Sequence, residues 1–254
     1  MTTGQKLTQA DGGRAEPPVF MRYADYLKRG LDTLSFGSKG DRTRYRLKIA
    51  AARALEEVGY TDLKVSDVCS NAGVALGTFY VYYKDKNEIA IEVVIDFVTH
   101  MYETARQVGH GRSDFDAILN TNRAFVAMYE ANPGLMKCHV QLQSQLSEFQ
   151  DIWRPMHQKW IETLGRSIAR RSQYKGGIGS PVGVARALEG MVFYYLYSVI
   201  VSQDHLFEEE DPSRADNLAL MLSSVWYRAV YCKDPPVEEV EAARHQAESV
   251  LAGK

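Results

Sequence analysis

The residues whose types and spacing could do chemistry gather between Val65 and Lys86, in the run V-S-D-V-C-S-N-A-G-V-A-L-G-T-F-Y-V-Y-Y-K-D-K. Val65, Val68 and Cys69 fall at i, i+3 and i+4, an apolar stripe on a first short helix. Gly73 supplies a turn in which a positive φ is easiest for glycine, and Phe79 and Tyr83 repeat at four-residue spacing on a second helix. Cys69 and Ala72 are small where two steeply crossing helices must come close. This is the helix-turn-helix pattern, whose second helix enters the DNA major groove. Its chemistry is recognition without bond-making. The chain carries no G-x-S-x-G, G-x-x-x-x-G-K-[ST], H-E-x-x-H or C-x-x-C motif. Gly176-Gly177-Ile178-Gly179 is followed by no phosphate-loop lysine and belongs to no βαβ unit. The 6 histidines are scattered, and Cys69, Cys138 and Cys232 are too far apart for a disulfide framework or a zinc site. No catalytic residue, metal or cofactor is expected.

From Thr43 to about Ile89 the sequence resembles the N-terminal domain of the TetR family of transcriptional regulators. The matching positions are Arg44, Leu47, Ala50, Ala51, Leu55, Gly59 and Tyr60, then Val65, Val68, Ala72, Gly73 and Val74. Gly77-Thr78-Phe79-Tyr80-x-Tyr82-Tyr83 and Lys86 follow in register. The resemblance implies that Ala75, Leu76, Gly77, Thr78 and Val81 face base edges, and that Tyr80, Tyr82 and Lys86 hold phosphates. Phenol hydroxyls donate to phosphate oxygens and a lysine adds a point charge. The chain departs from many relatives in having Ala75-Leu76 where they place a polar pair, and Lys64 where they have Ser or Thr. Leu76 and Val81 can pack against thymine methyls but cannot hydrogen-bond to a base, so a site with thymines under this helix is expected. Lys64 is expected to reach a phosphate instead of capping. Arg42 and Arg44, with Arg46 and Lys48, meet no acidic residue before Glu56 and read as further backbone contacts. Phe79 and Tyr83 read as core.

The resemblance also implies a homodimer formed through the last two body helices, a palindromic double-stranded operator and a small-molecule effector bound among the central helices. Val192, Leu196, Val199 and Ile200, with Leu218, Leu222, Val225 and Tyr227, look like dimer faces, although periodicity alone does not separate such a face from a monomer core. The body is rich in aromatic and polarisable side chains. His100, Met101, Phe125, Met128, Tyr129, His139, Trp153, His157, Trp160 and Tyr194 are the candidate ligand contacts. Together they suggest an apolar or aromatic ligand with a polar anchor such as His139 or His157.

The elements that must position these residues are all helices, and the expected fold class is all-α. A three-helix DNA-binding domain at 41–86 is followed by a larger effector-binding and dimerisation domain at 87–234. Residues 1–40 read as a disordered arm plus an extra amphipathic helix over 20–34, joined through the linker Gly37–Gly40, and 235–254 as a C-terminal tail. Asp41 or Thr43 is the expected cap of the first domain helix. In the body, helices are expected over Asn87–Val108, Asp114–Ala131, Pro133–Leu146, Phe149–Arg171, Val182–Phe207 and Ser213–Tyr231, with a loop at Tyr174–Pro181. Net charge is +2 over residues 1–40, +2 over 41–86 and −6 beyond, a basic end on an acidic body. No uninterrupted apolar run reaches the ~18 residues of a membrane helix; the longest is Gly190–Val201. With no signal-peptide core the expected location is cytoplasmic, with no membrane partner. The resulting reading is a ligand-responsive repressor. Two others stay open: a ligand-independent, nucleoid-associated DNA-binding protein of this fold, or a helical small-molecule binder without DNA function.

Overall fold

The computed structural model describes residues 20–170, 179–203 and 214–252. The expectations for the arm at 1–19 and for most of the loop after Tyr174 lie outside the described residues. Among the described residues every regular element is helical. α1 (Tyr23–Thr33) buries Tyr23, Ala24 and Leu27, and leaves Arg22, Lys28 and Arg29 exposed. Asn132, at the junction of two body helices, accepts from the Tyr23 N–H at 2.6 Å. Tyr26 stacks on His100 with ring centroids 4.0 Å apart. α1 therefore packs against the body.

α2 (Lys39–Asp62) begins earlier than its sequence suggests. Ser38 Oγ accepts from the Asp41 N–H at 3.0 Å, so Ser38 is the cap, not Asp41 or Thr43, and the expected linker shrinks because Lys39 and Gly40 are already helical. Near its end, Gly59 takes φ 78°, breaking the helical path where the apolar stripe stops. α3 (Val65–Ala72) and α4 (Leu76–Tyr82) follow. α5 (Lys86–Val108) is capped by Asp85, whose carboxylate accepts from the N–H groups of Asn87 and Glu88. Arg44 on α2 pairs with Glu92 on α5 at 2.6 Å, and Lys48 pairs with Asp96. α2 is thus strapped to the first helix of the body.

The body continues with α6 (Asp114–Ala131), α7 (Pro133–Gln145) and α8 (Ser147–Ala169). α2 and α7 touch through backbone at Gly134, where a Cβ would stand 2.1 Å from the Glu56 carbonyl oxygen. The Glu56 carboxylate caps α7, accepting from the N–H groups of Gly134 and Leu135 at 2.9 Å each, an acid where the helix dipole favours one.

α9 (Pro181–Leu196) runs on through a π-helical turn, Tyr197–Val201. This continuous 21-residue helix is long and apolar enough to cross a membrane by length and composition, which corrects the expectation drawn from the shorter Gly190–Val201 run. Its Ala185, Leu188, Val192 and Leu196 are nevertheless buried in the bundle. α10 (Arg214–Tyr231) pairs with α6, Asn122 Nδ2 donating to Ser223 Oγ at 2.9 Å between them. α11 (Val237–Ala252) packs on α10 and is tethered by a Ser113–Glu239 hydrogen bond, so the C-terminal segment docks on the bundle.

Candidate nucleic-acid interface and effector cavity

The turn between α3 and α4 is built as its sequence dictates. Gly73 sits in the left-handed region at φ 63°, ψ 44°, and its N–H returns to Ser70 O while Val74 N–H returns to Cys69 O. Arg46 reaches across from α2 and donates to Ala72 O at 2.5 Å. Val68, Cys69 and Ala72 are buried, as are Phe79 and Tyr83. With its apolar side fixed, α4 turns the opposite side outward. Leu76 is 52% exposed, Tyr80 56% and Val81 75%. Ala75 and Gly77 are exposed as well, and nothing lies within 4 Å of where a Gly77 side chain would begin. Thr78 and Tyr82 are half-buried, the Tyr82 hydroxyl lying over Gly40.

The cations divide into two groups. Lys64 stands at the cap position of α3 without a side-chain capping bond and is exposed, and Arg42 is exposed with no partner among the described residues. Arg44, Arg46 and Lys48 have internal partners, which corrects the reading of Arg42–Lys48 as one free basic run. Arg44 donates to Glu92 and, at 3.4 Å, to Tyr83 Oη. Burial first, then the Glu92 charge, pushes the Tyr83 hydroxyl well above its ordinary range, so it remains neutral beside that guanidinium. Lys86 is tied to α2: its Nζ donates to Tyr60 O at 3.3 Å and Thr61 O at 3.0 Å, and lies 5.0 Å from the Tyr60 ring centre.

In the body, one cavity of about 260 Å³ opens between α5, α6, α8, α9 and α10. Met101, Phe125, Tyr129 and Trp160 of the expected ligand contacts line it. The others do not. His100 stacks under α1; Met128 is buried in the core; His139 is closed in by Trp153 at 4.6 Å and by Phe149 and Phe193. Trp153 backs the cavity by stacking on Tyr102, and Tyr194 is 73% exposed on the outside. Burial holds His100 down at about 4, and burial plus the His157 charge holds His139 at about 3, so both are neutral near pH 7. His157 reaches the cavity indirectly, with Nε2 3.3 Å from Glu189 Oε1.

Glu189 itself lines the cavity, together with Asn122, Tyr102 and Trp226. No motif announces it. Its only signal is an acid inside the apolar run L-E-G-M-V-F-Y-Y-L. The Tyr102 hydroxyl donates to Glu189 Oε1 at a long 3.5 Å, and Tyr102 lies flat against Trp160 with centroids 4.5 Å apart.

The family profile described as "Bacterial regulatory proteins, tetR family" matches residues 49–93, from the middle of α2 into α5. Curated and structural relatives are regulators of the same family. Over this segment the chain carries a TetR-family DNA-binding domain. It is 24% identical over 135 residues to the uncharacterized HTH-type transcriptional regulator YvdT of Bacillus subtilis (strain 168), covering 52% of this chain and 69% of that one. It is 19% identical over 195 residues to the HTH-type transcriptional regulator EthR of Mycolicibacterium smegmatis, covering 76% and 88%. Among solved structures, the fatty acid degradation regulator FadR of Bacillus halodurans superimposes with a TM-score of 0.57 at 17% identity, covering 78% of this chain and 97% of that one. With that domain the chain is a DNA-binding transcriptional regulator, its helix-turn-helix on α3 and α4.

Proposed function

We propose that this regulator is a homodimeric repressor, released from a palindromic operator when a small apolar or aromatic effector fills the α5–α10 cavity. The observation that carries the reading is that α5 belongs to both ends. Its Met101, Tyr102 and Ala105 line the cavity, while its Lys86, Glu92 and Asp96 grip α2. A ligand that repositions α5 therefore acts on the helix that carries α3 and α4, and the coupling is reciprocal between ligand and DNA. At the DNA end, Ala75, Leu76, Gly77, Thr78 and Val81 are read as base-facing, and Tyr80, Tyr82, Lys64 and Arg42 as phosphate contacts. Lys86 and Arg44 support these positions from behind.

The dimer reading is supported by the outer face of α9. Gly183, Ala187 and Gly190 are exposed small residues at helical spacing, beside the exposed Tyr194. Val192, Leu196, Val199, Leu218, Leu222 and Tyr227 are buried within the protomer and do not form this face; Met221 and Val225 on α10 are exposed and line a groove beside α11. A second copy laid across this face would cover the part of the long apolar helix that the bundle leaves open.

The test is fluorescence anisotropy of the purified protein with the DNA upstream of its own gene, at two salt concentrations, with random duplex as competitor. Sequence-selective binding by a dimer, weakened by a cavity ligand, is expected. Binding that no cavity ligand alters would refute the effector-released repressor. Binding no tighter to any genomic fragment than to random duplex would refute the operator reading.

A further inference from the structure

We infer that the effector taken by this cavity is an organic cation, an aromatic or alkyl amine held by Glu189. The inference rests on the effector reading above and narrows it to one chemical class.

Glu189 is the acid among the cavity-lining residues. Its side chain is only 15% exposed, and its contacts among the described residues are Tyr102 Oη at 3.5 Å and His157 Nε2 at 3.3 Å. Both fall on Oε1, and Oε2 has no partner among the described residues. A carboxylate can accept about four hydrogen bonds, and one removed from water with so few good donors is costly unless something else supplies them. The polar wall groups are engaged elsewhere: Asn122 Nδ2 donates to Ser223 Oγ, Thr121 Oγ1 to Ala117 O and Thr163 Oγ1 to Lys159 O, and the buried Trp160 Nε1 makes no bond to Glu189. The rest of the wall beside Glu189 is aromatic, with Trp160 stacked on Tyr102 at 16° between planes and Phe125 edge-on to Tyr102 at 6.4 Å. Electron-rich ring faces attract a positive charge. An ammonium group brings both missing ingredients, donors for Oε2 and charge for the rings, and its apolar remainder suits the rest of the wall.

The other basic groups nearby are peripheral or already engaged. Arg106 and His110 line the rim and are exposed, so water and salt screen them. His157 faces Glu189 from α8 and shares only Oε1. A carboxylate ligand, by contrast, would bring like charge against Glu189. The volume of about 260 Å³ lies just below the usual range for a ligand site and limits the effector to a small molecule.

The test is isothermal titration calorimetry on the full chain at neutral pH with three isosteric probes: 4-phenylbutylamine, 4-phenylbutanol and 4-phenylbutanoate. We expect the amine to bind at least tenfold tighter than the alcohol, with the carboxylate weakest. Glu189→Gln should bring the amine within about twofold of the alcohol. Glu189→Asp, which keeps the charge should Glu189→Gln fold poorly, should retain the order. Equal or tighter binding of the alcohol or the carboxylate overturns the cation while leaving an effector cavity in place. An amine preference that survives Glu189→Gln removes Glu189 from the recognition. Silence from all three probes overturns cavity binding itself.

Discussion

At the scale of single residues, the structure separates groups that sequence places in one class. His100 and His139 read as ligand contacts in a row of aromatics, yet both are enclosed and held neutral, at about 4 and about 3. Their folded values lie below the ordinary 6.5, so the stability they permit is fully present above about pH 6.5. It is lost as pH falls toward those lower values, with a slope of at most about 1.4 kcal/mol per pH unit for each. Thermal melts between pH 7 and 4 should therefore fall steeply, and His139→Leu should flatten the profile; an unchanged slope would mean that His139 protonates without cost. Lys86 makes the complementary point. Because its ammonium bridges the last carbonyls of α2, Lys86→Ala should lower unfolding free energy by about 1 kcal/mol in the absence of DNA. A residue serving phosphates alone would leave the melt unmoved. For Leu76, exposed on α4, replacement by alanine should cost about 1 kcal/mol on the preferred sequence and little on random duplex. Equal losses on both would show that Leu76 reads no base.

At the scale of elements, the helix-turn-helix was legible because each of its signals is local. Gly73 needs its left-handed backbone, Phe79 and Tyr83 need the core, and both requirements are written in neighbouring residues. Asn132-Pro133 likewise ends α6 and starts α7 where the sequence suggests. The start of α2 was misread because Gly37-Ser-Lys-Gly40 has the composition of a linker, and only the Ser38–Asp41 bond reveals a cap. The cavity was half legible. Aromatic content marks the neighbourhood, but which rings face a void depends on five helices meeting, and no spacing along one of them encodes that. The same holds for the contact between α2 and α7. Alanine is a better helix former than glycine, so Gly134→Ala would stabilise an isolated α7. Here its methyl would collide with the Glu56 backbone, and a loss of about 1–3 kcal/mol is expected in urea unfolding. A neutral outcome would mean that the two helices slide apart freely.

At the scale of the whole molecule, the proposed dimer sets its interface on the long apolar helix. Nothing lies within 4 Å of a Cβ built on Gly190, so Gly190→Glu should leave the protomer folded. In a symmetric dimer it would set carboxylates into the shared face, and light scattering should report monomers with unchanged helical content. A dimer that persists would place the interface elsewhere. The arrangement of the large rings has a consequence of a different sort. All 3 tryptophans of the chain belong to one neighbourhood: Trp160 and Trp226 line the cavity, and Trp153 stacks on Tyr102 from behind. None lies on the helices that meet DNA. Excited where tryptophan alone absorbs, the protein's own emission would therefore gauge occupancy of the proposed effector cavity, with no contribution from a DNA-reading end that carries tyrosines but no tryptophan, an optical gauge that needs no label and leaves an attached dye on the operator free to report the other event.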